Sequence, residues 1–199
     1  MLFESLSFLV GEVNAYLNDK LGMTSDPRLM LGNTALAIDG GTAGAALANK
    51  AIMSLVNLEE DRATRTPTNR VKVADKVVYK SPPVLLNLYV LFSINRPEYT
   101  DCLKWLGHVL TFFQYQKRFT PSSHPNLDTR IEELSIELYT MNFEQVNHLW
   151  STLGGKYLPS ALYKVRQLAV DENAVRGEGN LITEVTFDGR AILPGEALR

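Results

Sequence analysis

SPPVLLNLYVLFSIN, residues 81–95, decides how the rest of this chain is read. From Val84 to Ile94 only Asn87 and Ser93 interrupt the apolar residues. Strict in-out alternation does not produce such a run, and a strand covered on both faces does. The apolar run from Pro82 to Ile94 is too short to span a membrane, which takes about 20 residues. Just beyond it, Pro97 suits the first turn of a helix, where its missing N–H costs nothing. Leu103, Leu106, Leu110 and Phe113 then trace one stripe that the spacing predicts to be buried, widened by Tyr99, Cys102, Val109 and Phe112.

Working toward the N-terminus, residues 62–80 carry Arg62, Arg65, Arg70, Lys72, Lys76 and Lys80 against one acid, Asp75, with few core-forming residues. They read as a long exposed excursion between two strands. Ala51–Glu60 is an interior strand, with Ile52, Met53, Leu55, Val56 and Leu58 on both of its faces. Residues 37–50 are rich in glycine, alanine and threonine without a periodic apolar face, and are expected to be a mobile loop. Arg28–Gly32 is a short strand candidate. Leu2, Phe3, Leu6, Leu9, Val10, Val13, Tyr16 and Leu17 recur every three or four residues, so the chain opens on an amphipathic helix that ends at Leu21-Gly22.

Working toward the C-terminus, Leu134, Ile136 and Leu138 alternate with Ser135, Glu137 and Tyr139, as in a strand with one wet face. Asn142 followed by Gln145 has the form of a capping box, opening a helix with Phe143, Val146, Leu149, Trp150 and Leu153 inside and Gly154-Gly155 as its stop. Pro159 leads into a strand in which Tyr163 and Val165 face one way and Lys164 and Arg166 the other. Asp171–Asn180 is polar and glycine-bearing, and Thr183–Phe187, Asp188-Gly189 and Arg190–Leu193 spell a tight hairpin.

Composition narrows the possible functions. The chain has 199 residues, 45% hydrophobic and 21% charged, which suits one folded domain with an appendage rather than a disordered chain. A net charge of -2 provides no general attraction to nucleic acid or to an anionic membrane. The single cysteine, Cys102, cannot form an internal disulfide and reads as a buried thiol, in keeping with assembly in the cytoplasm. Glu4 and Glu12 stand where a signal peptide would have a basic head and an unbroken apolar stretch, so no export signal is expected.

No chemistry emerges from the motifs. His108, His124 and His148 share no ligand spacing with Cys, Asp or Glu. Asp39-Gly40-Gly41-Thr42-Ala43-Gly44 lacks both the ending of a P-loop and the spacing of a dinucleotide site. Glu59/Glu60 and Glu132/Glu133 are adjacent pairs that a strand would splay to opposite faces, and Cys102 with His108 falls on different faces of one helix. No catalytic, metal-binding or cofactor-binding residue is therefore assigned, and no cofactor is expected. The basic excursion has two open readings: a mobile charged loop, or a loop that docks on an acidic partner. Single-strand nucleic acid ranks below both, because only Tyr79 interleaves with the cations.

Three segments carry a family resemblance: LFESLSFLVGEVNAYL at 2–17, SPPVLLNLYVLFSINRPEYTDCLKWLGHVLTFFQ at 81–114, and IEELSIELYTMNFEQVNHLWSTLGGKYLPSALYKVRQL at 131–168. In order and with sensible spacing over about Leu2–Asp171, they resemble the tail-terminator (cap) proteins of extracellular contractile injection systems of the antifeeding-prophage and virulence-cassette type. The Pro-Pro-apolar strand, and Trp150 followed by Leu158, Pro159, Ser160 and Tyr163, are the most specific pieces. The resemblance implies an α/β (α+β) single domain with a mixed β-sheet flanked by helices over 1–171, and an extended arm or hairpin over 172–199. It also implies a structural subunit, not an enzyme, that forms a homohexameric ring, ends the inner tube and holds the last sheath layer. The expected partners are thus further copies of the chain, the inner-tube protein and the sheath protein, with no nucleic acid and no membrane insertion, and the chain becomes part of the particle after assembly. Arg62, Arg65, Arg70, Lys72 and Lys76 are the candidates for docking on the tube or a neighbouring subunit, and Val185, Phe187 and Ile192 for the sheath. The alternatives are an adaptor or chaperone for secreted cargo, which would bind cargo rather than a tube, and a small nucleotide-binding enzyme, which would need the Gly40-Gly41 loop to hold phosphate.

Overall fold

The computed structural model describes residues 2–39, 41–61, 69–73, 76–80, 84–169 and 175–180. They form two compact units, one of Met1–Thr66 with Pro82–Glu172 and one of Pro67–Ser81 with Asn173–Arg199.

The first unit is built on a six-stranded mixed sheet flanked by helices. Its elements are α1 (Leu2–Leu21), β1 (Leu29–Leu31), α2 (Thr34–Asp39), α3 (Thr42–Ala46), β2 (Lys50–Glu60) and, after the excursion, β5 (Val84–Asn95), α4 (Tyr99–Tyr115), β6 (Arg118–Phe119), β7 (Ile131–Tyr139), α5 (Phe143–Thr152) and β8 (Ser160–Ala169). The strand order is β1-β2-β5-β8-β7-β6, parallel at β1/β2 and antiparallel elsewhere. β5 lies at the centre, as its apolar run requires. Leu88, Val90, Phe92 and Ile94 join the main core with α1, α4, β7 and β8, while Leu91 on the other face packs with Trp150 of α5 and Leu162. Both faces of the strand are thus covered by helix, which is why it does not alternate between apolar and polar.

Local chemistry sets the element ends. Asn142 Oδ1 accepts from the Gln145 N–H at 2.8 Å and Gln145 Oε1 accepts from the Asn142 N–H at 3.0 Å, a complete capping box. At the other end of α5 the Gly155 N–H reaches the Trp150 carbonyl at 2.7 Å, with φ of +102° at Gly154 and +77° at Gly155. Left-handed backbone of this kind favours glycine. Asn14 of α1 anchors β1: its amide donates to the Leu29 carbonyl at 2.8 Å and its Oδ1 accepts from the N–H groups of Arg28 and Leu29.

Four expectations for the first unit need correction. Residues 37–50 are not a bare loop: α2 and α3 occupy much of the stretch, and Leu47 is buried. Here glycine serves close packing, since a Cβ on Gly44 would sit 2.6 Å from the Leu36 carbonyl oxygen. In α4 the buried face is Cys102, Trp105, Val109, Phe112 and Phe113, whereas Leu103 is 49% exposed, Leu110 37% and Tyr99 62%. Pro97 stands outside that helix, before the N-cap Glu98. Phe143, expected inside, opens α5 at 95% exposure.

The second unit contains β3 (Asn69–Val73), β4 (Lys76–Lys80) and β9 (Val175–Asn180), ordered β3-β4-β9 and antiparallel throughout. Residues 69–73 and 76–80 of the excursion are therefore paired strands joined by a third, where the sequence had suggested loops. The valines and tyrosine of 71–79 carry the β propensity that the surrounding cations obscured. The hairpin signature at 183–193 lies outside the described residues.

Candidate interface surfaces

The residue types that usually carry chemistry are engaged in packing. His108 sits edge-on to Tyr16, and His124 packs against Phe8 and Phe119 while its Nδ1 pairs with the Ser123 hydroxyl at 2.8 Å. His148 is exposed on α5, away from any ligand cluster among the described residues. The Cys102 thiol points at the Ile94 and Arg96 carbonyls, 3.7 and 3.5 Å away, rather than at a histidine. Glu133 pairs with Arg118 at 3.2 Å, and Glu59 accepts from the Tyr89 hydroxyl at 3.0 Å. These carboxylates support the surface and converge on no common point.

Two pKa shifts have clear local causes. Hydrogen bonds from the Arg130 guanidinium and then from its backbone N–H pull the Asp128 carboxyl down to about 2. Burial alone pushes the Tyr163 phenol up to about 12, so it stays neutral within the core.

What remains is surface. A groove of about 290 Å³ opens between α4 and β7, lined by Leu110, Phe113, Leu138 and Tyr163 with Lys117 and Glu137 at its rim. A second, of about 440 Å³, lies between α1 and the end of α4, with Glu12, Tyr16, Phe112 and Tyr115 among its walls. Leu55 and Leu58 of β2 are 39% and 44% exposed, and Leu138 is 56% exposed. Of the predicted docking residues, Arg70 and Lys72 fall on β3 and Lys76 opens β4. Arg62, Arg65, Val185, Phe187 and Ile192 lie outside the described residues. Leu55, Leu58 and Leu138 read as covered strand positions in the sequence, because a strand's pattern gives the face a residue takes but not how far that face is covered.

Taken together, these features define an α+β domain with a mixed sheet flanked by helices, with grooves and exposed apolar side chains on its surface. The chain belongs to the Pvc16 N-terminal domain family, which it matches over residues 7–184. Comparison with curated proteins gives no significant match. Among solved structures it is similar to the sheath/tube terminator of an extracellular contractile injection system, PVC, in its extended state: TM-score 0.55, 15% identity, 92% of this chain and 65% of that one. It is also similar to the tube-terminating cap of the anti-feeding prophage, with TM-score 0.50, 14% identity, 71% of this chain and 50% of that one. This chain thus spans less than two thirds of the length of either.

Proposed function

We propose that this chain is a terminator subunit of a contractile injection particle, closing the end of the inner tube as a homohexameric ring and holding the last sheath layer. The observation that carries the reading is the shared fold: the likeness to a sheath/tube terminator extends over 92% of the chain, within a family of matching kind. Such a role is met by mating surfaces alone, and the chain presents apolar-lined grooves and a net-basic hairpin. The subunit is assembled in the cytoplasm and leaves as part of the particle. Arg62, Arg65, Arg70, Lys72 and Lys76 dock on the tube or on the neighbouring subunit, and Val185, Phe187 and Ile192 meet the sheath by strand addition.

The test is particle length. Particles made without this chain should carry tubes of irregular length, and tubes of uniform length would refute the proposal. Reversing charge with Arg65→Glu and Arg70→Glu should impair capping while circular dichroism of the isolated chain stays unchanged. Particles terminated normally by that variant would remove the docking role of the basic residues.

A further inference from the structure

β1 has only three residues and covers only Ala51–Met53 of β2, and β6 has only two and covers Leu134 and Ser135 of β7. Among the described residues, the outer edges of β2 from Leu55 to Glu59 and of β7 from Glu137 to Tyr139 therefore have no strand partner. Open edges like these are templates for pairing with another chain.

The side chains at the two edges agree with each other. A bulge between Leu55 and Asn57 places Leu55 opposite Val90 and Leu58 opposite Leu88, so both leucines stand on the sheet face that carries the main core. Leu138, opposite the core residue Tyr163, stands on that same face at the far edge, beside Leu110 in the groove under α4. Strand directions agree as well. β2/β5, β5/β8 and β8/β7 are each antiparallel, so a copy shifted along the sheet brings its β2 alongside β7 in the antiparallel sense.

We infer that the subunits join head to tail, with the open edge of β2 in one copy pairing antiparallel with the open edge of β7 in the next. Leu55 and Leu58 of one copy then fill the groove formed by Leu110, Phe113 and Leu138 of its neighbour. The contact joins two different surfaces on opposite edges of one sheet, so it is heterologous and propagates until it closes as a ring. This rests on the terminator reading and specifies its subunit contact.

The experiment uses the full chain with Leu58→Cys and Leu138→Cys together, incorporated into particles and treated with a short bis-maleimide. A linker of about 8 Å tolerates a slip of two residues along the strand, at about 3.4 Å each. The double variant should give a ladder of covalent multimers on a denaturing gel. Each single variant, and the unaltered chain with its buried Cys102, should run as monomer. Terminated particles without a ladder overturn the edge pairing and leave the capping reading standing. Dimers from Leu58→Cys alone also overturn it, since they report a contact of like with like. Absence of the chain from particle ends sinks the terminator reading and this inference with it.

Discussion

Asn14 shows how much one side chain can do in this fold. Its three hydrogen bonds tie the middle of α1 to β1 across about fifteen residues of sequence. Asn14→Ala should cost about 1–3 kcal/mol, the usual penalty for stranding partly buried polar groups, and a thermal melt would register the loss. Asp128 gives a pH prediction. Its carboxyl is held at about 2 against an ordinary 3.8, so its contribution to stability is present above about pH 4 and disappears as the pH falls through about 2. Melting temperatures of the wild type and Asp128→Asn should differ near neutrality and converge under strong acid. Contacts of this kind were not legible beforehand. Trp105 is flanked by the guanidinium groups of Arg28 at 5.6 Å and Arg96 at 4.6 Å, and nothing local in the sequence brings those three residues together.

At the scale of elements, legibility followed the range of the interactions. The capping box, the glycine stop and the strand status of β2, β5, β7 and β8 depend on residues a few positions apart, and all were read in advance. Removing the cap with Asn142→Ala should cost about 1 kcal/mol. Phe143→Ser should change stability by less than about 0.5 kcal/mol, because this ring is 95% exposed and loses little on truncation. If urea titration shows a large loss for Phe143→Ser, its placement is wrong. α4 marks where local reading stops. Its apolar arc is wider than the monomer buries, and tertiary packing selected the stripe through Trp105 over the one through Leu103 and Leu110.

For the molecule as a whole, the central place of β5 was legible from its apolar run, while the mixed sheet with flanking helices was implied by the family resemblance. The order β1-β2-β5-β8-β7-β6 was not, since it depends on pairings between segments separated by dozens of residues. The hairpin β3/β4 was hidden beneath its cations, and Arg70, Lys72 and Lys76 were legible only as a one-sided charge. Deleting residues 181–199 should release the sheath while leaving the tube capped. Particles whose sheath stays attached without those residues would exclude the C-terminal arm from that contact.

The two tryptophans lie on opposite sides of the sheet, Trp105 in the cluster under α1 and α4 and Trp150 in the one under α5. Nature has thereby placed one intrinsic fluorophore in each of the two layers. Trp105→Phe leaves emission that reports only the α5 side, and Trp150→Phe leaves emission from the α1/α4 side. Superimposable denaturation curves from the two variants, after allowance for their differing midpoints, would show that both layers melt as one cooperative unit. Divergent curves would reveal which layer loosens first.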